Sequence, residues 1–521
     1  MDKSCDRVPP RERRSDFKSK EDPLRNKRYF MKIDLIIPKE VSRVTETLEK
    51  GGFLAYLVGG CVRDLLMNRE PKDWDITTNA TPDQIVSLFP KTVYENTFGT
   101  VTVINEDIEQ IDLRNIEVTP FRTEGSYSDK RHPDKVEFGT NLAEDLMRRD
   151  FTINALAYSP SNGQLIDEFG GVKDIKDKVV RAVGDPEIRF DEDPLRIMRA
   201  IRFSAQLGFT INSETEKALR NKVSDLPAIS TERIRDEFEK LIMSDNPMAG
   251  LENMKNNGLL PYVIRETGEM IGVEQGGAHI YDVWEHSLRA LQHAAAKGGG
   301  LEIRLAALFH DIGKPKTRRA STAVGKKAYT FYGHEVVGAR MVKKILTELK
   351  FPQKTIDIVE RLVRNHMFFA DTDQITLSAV RRLVAKVGPD LVWDLMTIRA
   401  CDRIGMGRPK EDPYRLRKYE AMIEEAMRAP TSVGMLKIDG NDLIKLSAEK
   451  PGPKIGFILH ALLEEVLEKP DLNAKDYLEN RALELLKLPV EELKRLGEAG
   501  KERKEETEEQ ELTQIRKRHR V

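Results

Sequence analysis

Cysteine is scarce in this chain. Three cysteines in 521 residues, Cys5, Cys61 and Cys401, are too few and too widely spaced for a disulfide framework or a cysteine metal site. That usage fits a reducing compartment. No apolar run approaches the roughly 20 residues needed to cross a bilayer, and the N-terminal residues hold no signal-peptide core. The expected location is therefore the cytoplasm, with no membrane partner. An excess of one charge is also missing: 85 Lys and Arg against 86 Asp and Glu leave a net charge of −1. Any nucleic-acid surface must then come from local clustering of basic residues. The length allows several domains of ordinary soluble composition.

The most informative stretch is Leu57-Val58-Gly59-Gly60-Cys61-Val62-Arg63-Asp64, followed by Lys72-Asp73-Trp74-Asp75. Phe53 to Val58 is an apolar run of strand length, Gly59-Gly60 interrupts it, and Val62 to Met67 has a helical pattern. A strand, tight turn and helix in that order aim backbone N–H groups at a ligand. Gly59 and Gly60, without side chains, let a phosphate approach the backbone, and the helix start and Arg63 add positive charge, which suits a triphosphate. Downstream, Asp73 and Asp75 alternate along a predicted strand, so both carboxylates share one face. A D-x-D pair by itself is usually a solvated strand end. Beside the glycine turn and Arg63 it points to divalent-cation binding and, with two metals, to activation of a 3′-hydroxyl and release of pyrophosphate.

These residues, through Asp75-Ile76-Thr77-Thr78-Asn79-Ala80, closely resemble the nucleotidyltransferase head of the polymerase-β superfamily. More narrowly they resemble the class II tRNA nucleotidyltransferase and bacterial poly(A) polymerase family. The resemblance implies Mg²⁺ on Asp73 and Asp75. It also implies a third acidic residue in Glu117-Val118-Thr119-Pro120-Phe121-Arg122, assigned to Glu117, on a strand predicted over 111–119. In the family, a loop equivalent to the polar segment 122–136 couples domain movements during the switch from C to A addition, and here it has full length. Glu144-Asp145-Leu146-Met147-Arg148-Arg149-Asp150-Phe151-Thr152-Ile153-Asn154-Ala155 matches the segment that recognises ribose and phosphate, the role carried over to Arg149.

Phe190 to Phe203 places Asp193 as the cap of a helix with Pro194 first, then Arg196, Arg199 and Arg202 at every third position. Three guanidiniums on one helical stripe would repel one another, which suggests a facing polyanion or base. The stretch is similar to the family's E-D-x-x-R element. That similarity implies that Asp193 and Arg196 read the Watson–Crick edge of cytosine or adenine, with Arg199 and Arg202 positioning phosphate or the helix. Protein side chains would then replace a nucleic-acid template.

A second constellation follows in His286, His310-Asp311, His334, His366 and Asp402, spread over several predicted helices. Adjacent His and Asp at a helix end can give one ion a nitrogen and an oxygen ligand. The order H, HD, D resembles the HD phosphohydrolase superfamily, with extra histidines where a second metal is held. It implies a divalent transition metal and action on phosphate esters, such as trimming of damaged tRNA ends. Further on, Lys437 to Leu443 and Glu449 to Gly456 resemble the C-terminal tRNA-binding region of the family.

The expected fold class is α+β: a polymerase-β-type head with a small mixed sheet, then all-helical neck, HD-like and tail domains. The boundaries drawn are 1–30 charged extension, 31–184 head, 185–270 neck, 271–410 HD-like domain, 411–497 tail and 498–521 charged terminus. The expected function is template-independent addition of C and A to the tRNA 3′ end, with tRNA, CTP and ATP as partners. An A-adding enzyme and a poly(A) polymerase are the near alternatives. A metal-dependent phosphohydrolase with an RNA-binding head and a non-catalytic RNA scaffold are the distant ones.

Overall fold

A computed structural model describes residues 29–95, 99–124, 136–138, 141–276, 279–320, 329–368, 375–447 and 451–496. The expected extension up to residue 28, most of the 122–136 loop, Glu449-Lys450 and the 498–521 terminus lie outside the described residues. The chain divides into two compact units, one built from residues up to 126, 133–177 and 181–184, the other from 178–180 and 185 onward.

The first unit carries the sheet. Its elements are β1 (Tyr29–Lys32), α1 (Lys39–Lys50), β2 (Ala55–Val58), α2 (Gly60–Leu66), β3 (Asp75–Thr78), α3 (Pro82–Leu88), β4 (Thr92–Glu95) and β5 (Thr100–Ile104). After these come α4 (Ile111–Arg114), β6 (Asn115–Pro120), β7 (Arg122–Glu124), β8 (Val136–Phe138), α5 (Leu142–Met147), β9 (Leu156–Ser159), β10 (Gln164–Asp167) and α6 (Gly171–Asp177). Eight strands form a mixed sheet in the order β1-β10-β9-β2-β3-β6-β5-β4, in which β3 and β6 run parallel and the other described neighbours antiparallel. Helix α1 lays Val41, Val44 and Leu48 onto Leu57, Ile76, Val101 and Val118 in one core, so its apolar stripe is the reason it packs on the sheet. Thr81 starts α3 through a reciprocal capping box with Gln84.

Two sequence expectations need correction. Strand β1 takes in Tyr29 and Phe30, which pair with Asp167 and Ile166 and had been placed in the charged extension. The strand expected over 111–119 begins only at Asn115, because Ile111–Arg114 make one helical turn. Asn105, 3% exposed, holds that turn: its backbone N–H donates to Arg114 O at 2.8 Å and its Nδ2 to Leu113 O at 2.8 Å. Helix α6 is started by the Asp167 carboxylate accepting from Gly171 N at 2.9 Å and Val172 N at 3.0 Å. Strand β11 (Val179–Val180) belongs to the second unit.

The second unit is helical apart from two small sheets. Strand β11 pairs in parallel with β12 (Thr210–Ile211), around α7 (Pro186–Glu192), α8 (Leu195–Leu207) and α9 (Ser213–Lys222). Next come α10 (Thr231–Ile242), α11 (Pro247–Asn256), α12 (Leu260–Val263), α13 (Val283–Ala296), α14 (Leu301–Phe309) and α15 (Lys314–Thr317). A hairpin of β13 (Arg319–Ala320) and β14 (Tyr329–Thr330) leads to α16 (His334–Glu348), α17 (Gln353–Asn365), α18 (Leu377–Val387) and α19 (Val392–Gly405). The remainder is α20 (Tyr414–Met427), α21 (Gly440–Ser447), α22 (Pro453–Glu468) and α23 (Lys475–Leu485). Between α19 and α20 the helical path is broken over 406–413, where Gly407 takes φ 84° and Pro409 and Pro413 lack the N–H that a helix needs. Among the described residues no helix is long and apolar enough to cross a membrane.

One glycine tests how tightly the first unit is closed. A Cβ on Gly171 would stand 2.2 Å from Thr152 O, so Gly171→Ala is expected to cost about 1–3 kcal/mol, the usual penalty of overpacking. Urea unfolding of the variant against the wild type measures it.

Candidate functional site

The carboxylate site of the first unit is built by strand register. Asp75 opens β3 and stands opposite Glu117 of β6 in the parallel pairing, locked by Glu117 N donating to Trp74 O at 3.1 Å. Asp73 does not lie on the strand, as alternation had suggested; it sits in the bend before it, exposed, with Trp74 buried behind it. Burial pushes the Asp75 carboxyl up to about 6; Arg149 pulls the other way, and the negative charges of Glu117 and Asp73 raise it further. Three carboxylates thus crowd together at a cost, and a divalent cation would offset that cost. The donor set is all oxygen, which fits magnesium.

The glycine turn brings Arg149 to the same place. Gly59 has φ 80°, and a Cβ there would lie 2.9 Å from Arg149 Nη1 and 3.5 Å from Asp75 Oδ2. Only glycine therefore lets the arginine and the carboxylate meet over this turn. Arg149 Nη2 donates to buried Asp145 at 3.3 Å, and its Nε is buried without a hydrogen-bond partner. Arg63 is placed differently from the expectation of a phosphate-facing charge. It is 8% exposed and donates to Asp64 at 2.9 Å and to Asn154 at 2.7 Å, beneath Gly60. Its position ties α2 to the segment after Arg149.

In the second unit, the Asp193 carboxylate accepts from Leu195 N at 3.0 Å at the start of α8, as the predicted cap does, and also takes a 2.8 Å hydrogen bond from Arg233. Arg196, 8% exposed, donates to Glu192 at 2.6 Å and to Arg189 O at 3.1 Å. The argument that the arginine stripe needs an external polyanion is corrected by α10. Glu237, 3% exposed, pairs with Arg202 and lies 3.8 Å from Arg199, so the protein supplies much of the counter-charge itself. Arg202 is 6% exposed and also bonds Gln206 at 2.6 Å.

The six expected metal ligands do converge. His286 Nε2 lies 2.9 Å from His310 Nε2, 3.0 Å from Asp311 Oδ2 and 3.4 Å from Asp402 Oδ1. The other Asp311 oxygen is 3.2 Å from His334 Nε2 and 3.8 Å from His366 Nε2. Asp311 therefore joins two ligand groups, His286-His310-Asp311 and Asp311-His334-His366. All six residues are at most 5% exposed. His310, His334 and His366 each set Nδ1 against a main-chain carbonyl, of Ala307, Phe331 and Val363, at 2.9, 2.8 and 2.7 Å. An Nδ1–H donated there leaves the Nε2 lone pair facing the cluster, the tautomer a metal ligand needs. Burial opposes protonation of His286, but hydrogen bonds from its ring to Asp311 and Asp402 hold it up to about 9. Burial, with His334 and His310 nearby, pushes His366 down to about 3. A cation held by these ligands would replace that proton on His286, so the residues fit a transition metal.

Two glycines let the helices carrying these ligands approach. A Cβ on Gly313 would stand 2.1 Å from His334 O, and one on Gly405 would stand 2.7 Å from His286 O. Sequence reasoning missed several neighbours. Lys314 donates to Asp311 at 2.6 Å and to Gln275, Arg399 pairs with Asp402, and the His279 ring packs edge-on to His286 at 5.0 Å between centroids. Arg399 stands three residues before Asp402 on one helix, a spacing visible in the sequence; Gln275 left no such trace.

Comparison with known proteins follows this geometry. Residues 55–181 match the poly A polymerase head domain, 208–270 the probable RNA and SrmB-binding site of polymerase A, and 283–405 the HD domain. The fold and its carboxylate site define a nucleotidyltransferase head joined to a helical region that contains an HD domain. The chain is 46% identical over 438 residues to the CCA-adding enzyme of Lactiplantibacillus plantarum, covering 84% of this chain and 93% of that one. It is 32% identical over 441 residues to that of Leuconostoc mesenteroides, covering 84% and 94%. The crystal structure of the Bacillus stearothermophilus CCA-adding enzyme in complex with CTP superposes with a TM-score of 0.63 at 27% identity, covering 86% of this chain and 98% of the other. The chain belongs to the CCA-adding enzyme family and is a nucleotidyltransferase.

The raised Asp75 carboxyl has a signed consequence. Its proton is held more tightly in the folded chain, so this group's contribution to stability falls as pH rises from the ordinary carboxylate value of 3.8 through about 6. In metal-free buffer, Asp75→Asn is expected to gain about 3 kcal/mol over the wild type at pH 7 and little at pH 4. Denaturant midpoints with a chelator check this, and added magnesium should narrow the gap at pH 7.

Proposed function

We propose that this chain adds C and A to the 3′ end of tRNA from CTP and ATP without a nucleic-acid template, as a cytoplasmic enzyme. The observation that carries the proposal is the register of Asp75 against Glu117, beside Gly59 and Arg149, in a member of the CCA-adding family. Asp73, Asp75 and Glu117 hold magnesium. Bound there, two magnesium ions would activate the terminal hydroxyl of the tRNA and neutralise the departing pyrophosphate. Gly60 admits the triphosphate to the backbone, and Arg149, anchored by Asp145, takes ribose and phosphate. Arg63 acts by keeping the turn in place.

Base choice falls to Asp193 and Arg196. The carboxylate accepts from the amino group of cytosine or adenine, and the guanidinium donates to the ring acceptor; guanine and uracil leave these partners unpaired. The bonds donated by Arg233 to Asp193 and by Arg196 to Glu192 support the assignment, because each reading group is held in one orientation before the base arrives. Arg199 and Arg202 act through Glu237 to fix α8.

A second activity is supported by the cluster around Asp311. His286, His310, Asp311 and Asp402 hold one divalent transition metal, and Asp311, His334 and His366 a second, giving a phosphohydrolase for phosphate esters at RNA ends. Removing either set separates the two activities. Asp73→Ala is expected to lower CTP and ATP incorporation by about 10²–10³-fold, the scale of losing one transition-state-stabilising group. Asp311→Ala should leave incorporation intact and lose bound metal by elemental analysis. Incorporation that survives Asp73→Ala would remove the leading reading.

Specificity is tested with tRNA ending before the CCA, after C or after CC. CTP alone should add to the first two, ATP alone only to the third, and both together should restore the full end. Incorporation of ATP alone, only after CC, with no use of CTP, would make the chain an A-adding enzyme. A long A tail would make it a poly(A) polymerase.

A further inference from the structure

The end of α5 sets one buried carboxylate against two arginines. Asn141 starts the helix by accepting from Ala143 N at 3.0 Å, and Leu146 packs with Val58 and Ala157 of the sheet. Arg148 continues the helical path, its N donating to Glu144 O at 3.3 Å. Residues three and four apart on such a path share a face, so Asp145 meets both Arg148 and Arg149. Asp145 is 0% exposed, whereas the two arginine side chains stay 16% and 19% exposed and can reach a ligand.

The two arginines are held unequally. Arg148 donates Nε at 3.0 Å and Nη2 at 2.7 Å to Asp145 Oδ1. Asp145 Oδ2 receives long contacts, from Arg149 Nη2 at 3.3 Å and Thr77 Oγ1 at 3.5 Å, and the Thr77 hydroxyl donates to Thr119 O at 3.1 Å. Thr77 and Thr119 lie two residues past Asp75 and Glu117 on the paired strands, on the same face of the sheet as those carboxylates. Arg149 Nε is buried without a hydrogen-bond partner, so Arg149 keeps donors that the protein does not use. Burial by itself pushes the Asp145 carboxyl up, but the two arginines outweigh it and hold the group below its ordinary value, ionised at working pH.

We propose that Asp145 is a positioning residue for nucleotide addition: with Arg148 as its fixed partner, it holds Arg149 over the Gly59 turn and releases it to the incoming triphosphate. Arg148 neutralises the carboxylate whether or not Arg149 stays, so Arg149 can exchange a long bond for a bidentate contact with phosphate, the stronger pairing. The carboxylate is thus a support that sets where the reading arginine waits. Ribose and triphosphate are common to CTP and ATP, so Asp145 acts equally on both and takes no part in base choice. The inference rests on the nucleotide-binding role proposed for Arg149, and its test separates the two.

The test uses the full chain, with CTP and ATP titrated calorimetrically in the presence of magnesium and incorporation measured on tRNA lacking the CCA end and on tRNA ending in CC. Asp145→Asn keeps the shape of the side chain and removes its charge. It is expected to weaken CTP and ATP binding, and to raise both KM values, by a common factor of about ten, with kcat and the rejection of UTP and GTP nearly unchanged. Arg149→Gln should weaken binding at least as much, and adding Asp145→Asn to it should change nothing further, because the carboxylate acts through that arginine; a merely structural carboxylate gives additive losses. Arg148→Gln leaves Arg149 as the main counter-charge of Asp145 and should weaken both nucleotides several-fold, while the double variant Arg148→Gln with Asp145→Asn binds no worse than Asp145→Asn alone. Where Asp145→Asn does not fold, Arg148→Gln decides. Wild-type affinity in Asp145→Asn or Arg148→Gln, losses that differ between CTP and ATP, or additive losses with Arg149→Gln would overturn the positioning role. Nucleotide binding unchanged by Arg149→Gln would remove the role of Arg149 and this inference with it. A chain that binds both nucleotides with the expected dependence on Asp145, yet adds neither to tRNA, keeps the positioning role and loses the reading as a tRNA-extending enzyme.

Discussion

The parallel pairing of two short strands is the constraint on which the carboxylate site depends. Asp75 and Glu117 come from chain segments more than forty residues apart, and backbone hydrogen bonds set them side by side although their charges repel. A slip of one residue would turn Glu117 to the opposite face of the sheet and leave Asp75 without its neighbour. The apolar face of the same strands, with Ile76 and Val118 in the core under α1, prevents that slip. The burial of a hydrophobic face thus holds the charged groups together, and the unfavourable charge is what gives the site its appetite for a cation.

The second unit reaches a similar result with helices. Its ligands arrive from α13, the end of α14, the start of α16, the end of α17 and α19. No register fixes them; close approach does, and it depends on Gly313 against His334 and Gly405 against His286. The three Nδ1 contacts to main-chain carbonyls then orient the rings before any ion is present. Asp311 faces both halves of the cluster, so whatever holds Asp311 orders the whole. Burial pushes its carboxyl up, yet His310 and Lys314 outweigh that and keep it well below the ordinary range.

How legible this was differs residue by residue. The strand, glycine turn and helix around Gly59-Gly60 were readable because local pattern decides them. The pairing of Arg63 with Asn154, ninety-one residues later, has no local trace. The α8 arginines looked as if they required a foreign anion; Glu237, on a different helix, was unmarked in the string. Asp73 was placed on a strand by alternation alone, while the chain bends there to bury Trp74. Asn105 shortened a predicted strand through two hydrogen bonds that no periodicity records.

By itself, the order of motifs determined the family resemblance, the α+β class and the identity of the acidic and histidine groups, because each lies in a short segment whose spacing carries the signal. Tertiary structure alone decided which charges face each other and which are neutralised inside. It set Asp75 beside Glu117 and Arg149, enclosed Arg202 with Glu237 and joined two histidine groups through Asp311. Charge energetics depend on distance and burial, and those are properties of the packed chain rather than of its spelling.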